Sequence, residues 1–522
     1  MRAHPATRPG AVASVVATLA LLFAVPAQAV GDPANGARVY DKRCGQCHGP
    51  DGDGKGAGWE FMLPRPRIFK DNSSYKFRTT VAAALPTDQD LFDIITIGIP
   101  GSSMPGFAVL PEQERWDLVA YLKSLSEDFE DEEYLEEAVV LEELVTLTPT
   151  PSTPEAIERG AALFKENKCN TCHGELGRGN GDAGMALKDD YMNPILPRNL
   201  TNPEIYRAGS TPEDIFRTIT TGLNGSPMAA YRDSMSVEQR WDVVHFVRSL
   251  HPEAKEARDE VIQAMEVETL PTTGDDEAWD ATPTARFATL PNIIDPPRLF
   301  WSSVEFVTVQ ALFNKEEVAL RVQWDDRTES KGGNIGHRYP DREVSILQGT
   351  DHPDQFALQF PVKNDPDTRP YFLHGDSKRA VTLWHWRGDT GAFEEQVGKG
   401  FNAVSTQAEQ SQTVTSSVTY DDGRYTMYLR RSLKTEDTRS DVQFEAGSFT
   451  PIAFSAWDGD RGEVGNRRSM TTWYWLYLRP PLPETVNTYP PFAFFLTLGL
   501  LLILISAVRR RVGAQEEEKS EA

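Results

Sequence analysis

A chain of 522 residues is long enough for three or four domains. With 25% charged and 39% hydrophobic residues, it is too apolar for wholesale disorder and too polar for a polytopic membrane protein. Its formal net charge of -24 excludes a nucleic-acid binder, which needs Lys and Arg for phosphate, and suits either docking to a basic partner or a salt-adapted proteome.

Residues 1–29 read as a secretory signal peptide. Arg2 and Arg8 precede an apolar run from Ala11 to Val25, and Ala27-Gln28-Ala29 is a small-x-small cleavage site. Its removal leaves 51 bases (53 less these two) against 77 acids, a net charge of -26.

Residues 30–125 and 154–251 read as two copies of one domain. Cys44-Gly45-Gln46-Cys47-His48 returns 125 positions on as Cys169-Asn170-Thr171-Cys172-His173, and the two motifs use all four cysteines. Met104 returns 124 positions on as Met228, and Arg115-Trp116-Asp117 returns as Arg240-Trp241-Asp242. This period is too long for a solenoid and marks a duplicated domain. Each copy opens on a helical pattern (Gly36, Val39, Tyr40; Gly160, Leu163, Phe164). Each closes on an amphipathic helix (Leu118, Tyr121, Leu122, Leu125; Val243, Phe246, Val247, Leu250). A small helical domain with long Gly- and Pro-rich loops needs a large central group to bury surface against.

Residues 126–153 follow the first copy. Ten acids and no base between Ser126 and Val145 suggest a solvated linker. Residues 252–290 read as a second acidic linker. From 291 to 480 the pattern turns to short strands: Val318–Trp324, Phe356–Phe360, Ala380–Trp386, Tyr425–Leu429 and Thr471–Leu476, with turns such as Asp421-Asp422-Gly423. This predicts an all-β sandwich. Residues 491–508 predict one C-terminal transmembrane helix. The uncharged run from Phe492 makes a helix of roughly 25 Å, and Arg509, Arg510 and Arg511 place the tail 509–522 in the cytoplasm by the positive-inside rule. The fold class is therefore multidomain: two all-α domains, an all-β sandwich and one C-terminal span, anchored in a bacterial inner membrane with its bulk in the periplasm.

Cys-x-x-Cys-His is the attachment sequence of c-type haem. Cys44, Cys47, Cys169 and Cys172 would bind two haems covalently, with His48 and His173 as axial ligands. A redox dithiol would not need the histidine or repeat it. The duplication nominates Met104 and Met228 as sixth ligands, with Met185, Met192 and Met235 as competitors in the second copy. Thioether ligation suits electron transfer and closes the iron to substrate. Arg67 and Arg198 hold matching Pro-Arg positions, suited to haem propionates or to ordinary surface.

Both copies resemble class I cytochromes c over Asp32–Leu125 and Pro154–Leu250. The third domain, over Pro291–Leu478, resembles the haem b-binding gamma subunits of ethylbenzene dehydrogenase and dimethylsulfide dehydrogenase. Val322–Thr328, Tyr371–Asp376, Leu383–Trp386 and Ala453–Gly459 carry that likeness. The resemblance implies one non-covalent haem b between a Met and a Lys. Here His374 stands in the Met position and Arg468 in the Lys position; a guanidinium cannot ligate iron. His374 and Met470 are then the expected ligands, with Arg468 on a propionate and His385 the rival to His374. The resemblance also implies a molybdopterin catalytic subunit, an iron–sulfur subunit, and a cytochrome or membrane electron carrier as partners, with no catalysis by this chain itself. The alternatives are a stand-alone anchored dihaem cytochrome whose β domain is a docking or carbohydrate-binding module, and a dihaem peroxidase, which would need one open iron.

Overall fold

The computed structural model describes residues 31–70, 75–193, 195–252, 260–332, 352–365, 368–400, 403–481 and 489–521. The signal peptide expected at 1–29 lies outside them.

The first copy folds as α1 (Pro33–Arg43), α2 (Gly45–His48), α3 (Asp88–Ile97) and α4 (Glu112–Lys123). Asp32 caps α1 ahead of Pro33, and Thr87 with Asp90 forms a capping box on α3. Residues 126–153 carry α5 (Glu132–Glu137) and α6 (Glu142–Val145). The second copy repeats the first as α7 (Pro154–Glu166), α8 (Asn170–His173), α9 (Pro212–Thr221) and α10 (Val237–Ser249).

The opening and closing helices cross at a glycine in both copies. A Cβ on Gly36 would lie 2.0 Å from the carbonyl oxygen of Asp117, and one on Gly160 would lie 2.0 Å from that of Asp242. Only glycine allows this approach. The duplicated Arg-Trp pair also repeats its packing. Trp116 stacks on Phe92 at 4.2 Å with Arg115 over the same ring; Trp241 stacks on Phe216 at 4.5 Å with Arg240 over it.

The expected solvated linker at 126–153 is corrected. Phe129 and Leu141 are buried, Val140 bridges to Thr80, and Glu143 pairs with Arg232 (2.9 Å) and Arg240 (3.5 Å) of the second copy. The segment straps the two copies together, and its few apolar residues, diluted among acids, do the anchoring.

The β domain comprises β1 (Val261–Glu266), β2 (Ala285–Ala288), β3 (Leu290–Pro291), β4 (Phe306–Phe313), β5 (Glu317–Asp325), β6 (Gln355–Pro361), β7 (Val381–Arg387), β8 (Phe393–Gly398), β9 (Val404–Thr406), β10 (Thr415–Asp421), β11 (Arg424–Ser432), β12 (Phe449–Trp457), β13 (Ser469–Met470) and β14 (Tyr474–Arg479). Its main order is β10-β11-β5-β4-β1-β14-β12-β6-β7-β8-β9. Strand β12 pairs with β14 through Phe449–Ile452 and with β6 through Ala453–Trp457, so the sheet curls there into two facing halves. Trp324 of one half stacks on Phe356 of the other at 4.2 Å in the shared core. The sandwich expectation holds, with the two layers continuous through β12.

The linker expected at 252–290 is also corrected. β1 runs parallel between β14 and β4, β2 pairs with β4, and Trp279 is fully buried with Leu312 and Tyr428. The domain therefore begins at β1, not at residue 291. Its first strand is completed by one more than 200 positions away in the chain (Val261 beside Trp475), a pairing that local patterning does not reveal.

The last helix, α11, runs Tyr489–Glu521. Its membrane-length apolar stretch is Pro491–Arg511, 21 residues with none buried, or about 32 Å of helix.

Candidate haem centres

The two attachment motifs adopt the same local structure. In each, a short helix carries the second Cys and the His. His48 Nδ1 lies 2.9 Å from the carbonyl oxygen of Arg67, and His173 Nδ1 lies 3.0 Å from that of Arg198. A carbonyl only accepts, so Nδ1 carries the proton and Nε2 keeps its lone pair for a metal. Burial lowers the pKa of both imidazoles, keeping them neutral. Burial also pushes the Cys44 thiol up to about 11 and raises Cys47 and Cys169. That is opposite to the activated thiolate of a redox dithiol.

In the second copy these groups face a cavity of about 210 Å³, lined by Cys169, Cys172, His173, Arg207, Met228 and Met235 among others, mostly apolar. Met228 sits on a turn where Leu223 N donates to Met228 O (3.0 Å) and Ser226 Oγ accepts from Met228 N (3.4 Å). Met104 repeats that turn with Ile99 (3.0 Å) and Ser102 (3.1 Å). Of the competitors, Met192 is exposed, while Met235 is buried in the core and also lines the cavity; the side chain of Met185 lies outside the described residues.

Arg67 and Arg198 serve first through their carbonyls, a role invisible in their side chains. The guanidinium of Arg67 lies over Tyr191 of the second copy, and that of Arg198 pairs with Glu305 at 3.1 Å. Sequence reasoning missed two more bases. Nine positions after each of these arginines comes a base preceded by a tyrosine, Tyr75-Lys76 and Tyr206-Arg207. Lys76 is driven down to about 7 by burial and by Arg67 and Arg207; Arg207 is lowered by burial, Arg198 and Arg327. Arg67 Nη1, Arg207 Nε and Arg327 Nε are buried without hydrogen-bond partners among the described residues. Buried guanidinium nitrogens left without partners, that of Arg207 on the wall of the apolar cavity, fit the anionic edge of a haem.

On the β domain, the outer face of β6, β7, β12 and β13 presents small residues at its centre, Ala357, Ala453 and Ser455. Ser455 faces Met470 across the β12–β13 pair, and one step outward Trp457 lies under Arg468, whose guanidinium is 5.4 Å from the ring. Arg468 is 1% exposed, and its Nε and Nη2 have no hydrogen-bond partner among the described residues. His374 bears on this face. Its pKa falls to about 3 through burial and the charges of Arg468 and His385. Its backbone is left-handed (φ 63°), held by His374 N donating to Gln359 Oε1 (3.0 Å) and His374 O accepting from Gly400 N (2.8 Å). A non-glycine residue held in this conformation is strained and over-determined. The rival His385 is engaged through Nε2 with Gln355 Oε1 at 3.0 Å. The structure thus brings His374, His385, Arg468 and Met470 to one face. The unpaired buried guanidinium beside a neutral imidazole fits a haem there as well.

A cytochrome c family model matches residues 33–126, and one for subunit III of cbb3-type cytochrome c oxidase matches 155–247. A cytochrome c of Theileria annulata is 31% identical over 107 residues, 18% of this chain and 88% of that protein. The chain belongs to the cytochrome c family. The cytochrome's third domain is matched at 276–413 by the ethylbenzene dehydrogenase model, which starts upstream of residue 291, as the strand pairing requires. A Haloferax mediterranei protein named as a respiratory nitrate reductase heme subunit is 29% identical over half of the cytochrome and 88% of its own length. The chlorate reductase subunit gamma of Ideonella dechloratans is 27% identical over 33% of the cytochrome and 65% of its own length. The cytochrome therefore joins covalent-haem domains to a β domain of the ethylbenzene dehydrogenase type.

Proposed function

We propose that this cytochrome is the membrane-anchored electron-transfer subunit of a molybdopterin oxidoreductase complex, carrying two c haems and one haem b. It passes electrons between that enzyme, reached through an iron–sulfur subunit, and a periplasmic or membrane carrier. The observation that carries this reading is that two cytochrome c domains are joined in one chain to a β domain of the ethylbenzene dehydrogenase type, with the second of them docked on it through Arg198–Glu305 and Asn199–Asp325. The names of the nitrate and chlorate reductase relatives point the same way.

Bound haem supplies a one-electron couple at each centre. Cys44 with Cys47, and Cys169 with Cys172, hold the c haems. His48 and His173 are presented as neutral donors by the carbonyls of Arg67 and Arg198. Met104 and Met228 would take the sixth positions and close the irons to substrate, so that the haems would serve this chain for electron transfer rather than catalysis. His374 and Met470 are the haem b ligands, with Arg468 on a propionate. Arg67 and Arg198, joined by Lys76 and Arg207, neutralise propionates of the c haems. α11 anchors the cytochrome with Arg509–Arg511 on the cytoplasmic side.

The test is the pyridine haemochrome of the detergent-purified chain together with its co-purifying proteins. The expected result is two c haems to one b and a molybdenum-containing polypeptide in a low-salt pull-down. Haem c alone, with no molybdenum, would replace this reading with a stand-alone dihaem cytochrome.

A further inference from the structure

At the ends of three strands of the β domain, three acids meet. Asp326 follows β5 by one residue, Asp354 precedes β6 by one, and Asp458 follows β12 by one. Each offers a carboxylate oxygen, and these oxygens all lie within 4.8 Å of one another. The three are 4%, 0% and 4% exposed, and a fourth acid beside them, Glu463, is fully buried. A solvated acidic patch does not look like this.

The hydrogen bonds do not account for the charge. Asp354 accepts from Ser330 N, Tyr425 Oη and Gly459 N, each at 2.7 Å. Asp458 Oδ1 accepts from Arg461 N (3.1 Å). Glu463 is taken by Ser303 Oγ and Asp458 N. Asp326 Oδ1 accepts from Thr328 N (3.2 Å), but Asp326 Oδ2 is buried with no partner among the described residues. Arg327 and Arg461 offset the charge at Asp458, and Arg467 lies near Glu463. The charged groups that act most on Asp326 are all acidic: Asp354, Asp458 and Glu463. A buried carboxylate oxygen without a hydrogen-bond partner among the described residues, beside two further buried carboxylates, requires a cation or a shared proton.

We propose that Asp326, Asp354 and Asp458 bind one hard divalent cation of the calcium class, which ties the ends of β5, β6 and β12 together. Carboxylate oxygens with no nitrogen or sulfur donor select a hard cation. The ligand oxygens all lie within 4.8 Å of one another, close enough to share one ion, and a buried cage of three carboxylates suits calcium, since magnesium keeps several of its waters and takes one or two carboxylates.

The site also braces the second haem domain. Along the chain Asp326 lies between Asp325 and Arg327, both of which reach the second copy. Asp325 accepts from Asn199 Nδ2 (2.7 Å), and Arg327 Nη2 reaches Pro197 O (3.5 Å). These two partners bracket Arg198, whose carbonyl fixes His173. Loss of the cation therefore loosens the second c centre more than the first.

The test uses the full-length holoprotein in detergent, equilibrated with calcium at high KCl to strip surface binding and then desalted. Elemental analysis should find one retained calcium per chain. Chelation should lower the unfolding temperature, and calcium should restore it. Asp326→Asn should lose most of the calcium with haem content unchanged, whereas Glu329→Gln, an exposed acid three positions on, should keep it. If Asp326→Asn fails to fold, chelation of the wild-type protein still decides. No retained calcium with an unfolding temperature indifferent to chelation, or full retention by Asp326→Asn, would overturn the site in favour of carboxyls that share protons.

Discussion

Arg78 of the first haem domain donates its Nη2 to the carbonyl of Thr221 in the second, at 2.9 Å. Thr221 is the last residue of α9, directly before the turn that carries Met228, so a cation caps the negative end of a helix. Arg78 is 1% exposed and also donates to Val81 O and Tyr75 O. Burial lowers its pKa only to about 10, so it stays charged at neutral pH. Close by, Ala83 N donates to Asn224 Oδ1 at 3.3 Å. The first domain thus rests on the end of α9 and the turn that leads to Met228 in the second.

Replacing Arg78 with Ala should cost about 2 kcal/mol by stranding the Thr221 carbonyl. Flash-reduction kinetics should show slower equilibration between the two c haems, with haem content intact. Unaltered kinetics would mean that this contact does not set their separation.

Met104→Ala and Met228→Ala should each remove about half of the weak long-wavelength band of sulfur–iron ligation and lower one c-haem potential. If Met228→Ala leaves the band whole, Met235→Leu, which also changes the cavity wall, identifies the competitor.

Gly36→Ala and Gly160→Ala should each destabilise their own domain by about 1–3 kcal/mol, because the new methyl meets a helix carbonyl 2.0 Å away. Calorimetry of the holoprotein should show a separate transition moving down in each case.

His374→Ala should abolish the b-type spectrum or make it high-spin, whereas His385→Ala should leave it. A full, unaltered haem b complement in His374→Ala would place the ligand elsewhere.

His385 also gives a pH signature. Burial, then Arg387 and Arg468, bring its pKa down to about 4, against roughly 6.5 in an unfolded chain. The unfolded state binds the extra proton between these values. The stability that neutral His385 contributes is therefore present above pH 6.5 and lost as pH falls toward 4. The unfolding temperature should drop between pH 7 and pH 5, and His385→Gln should reduce that drop.

Much of this molecule is determined locally. Five residues specify each haem attachment, the spacing of Met104 and Met228 repeats with the cysteines, and the apolar run before Arg509 marks a span-length helix. Five of the strands were also legible, because partial alternation over five to seven residues is a property of the segment itself. Tertiary structure decided the rest. The carbonyls of Arg67 and Arg198 that orient the histidines have no side-chain signature. β1 takes its partner from the far end of the domain, so residues 261–266 read as linker until β14 lies beside them. The acidic strap at 126–153 is anchored by Phe129 and Leu141 against surfaces its own sequence does not encode. Even the pairing of Arg468 with Trp457 depends on register across β12 and β13. Spacing along one segment is written in that segment; which distant backbone meets it is settled only when the domains close on one another.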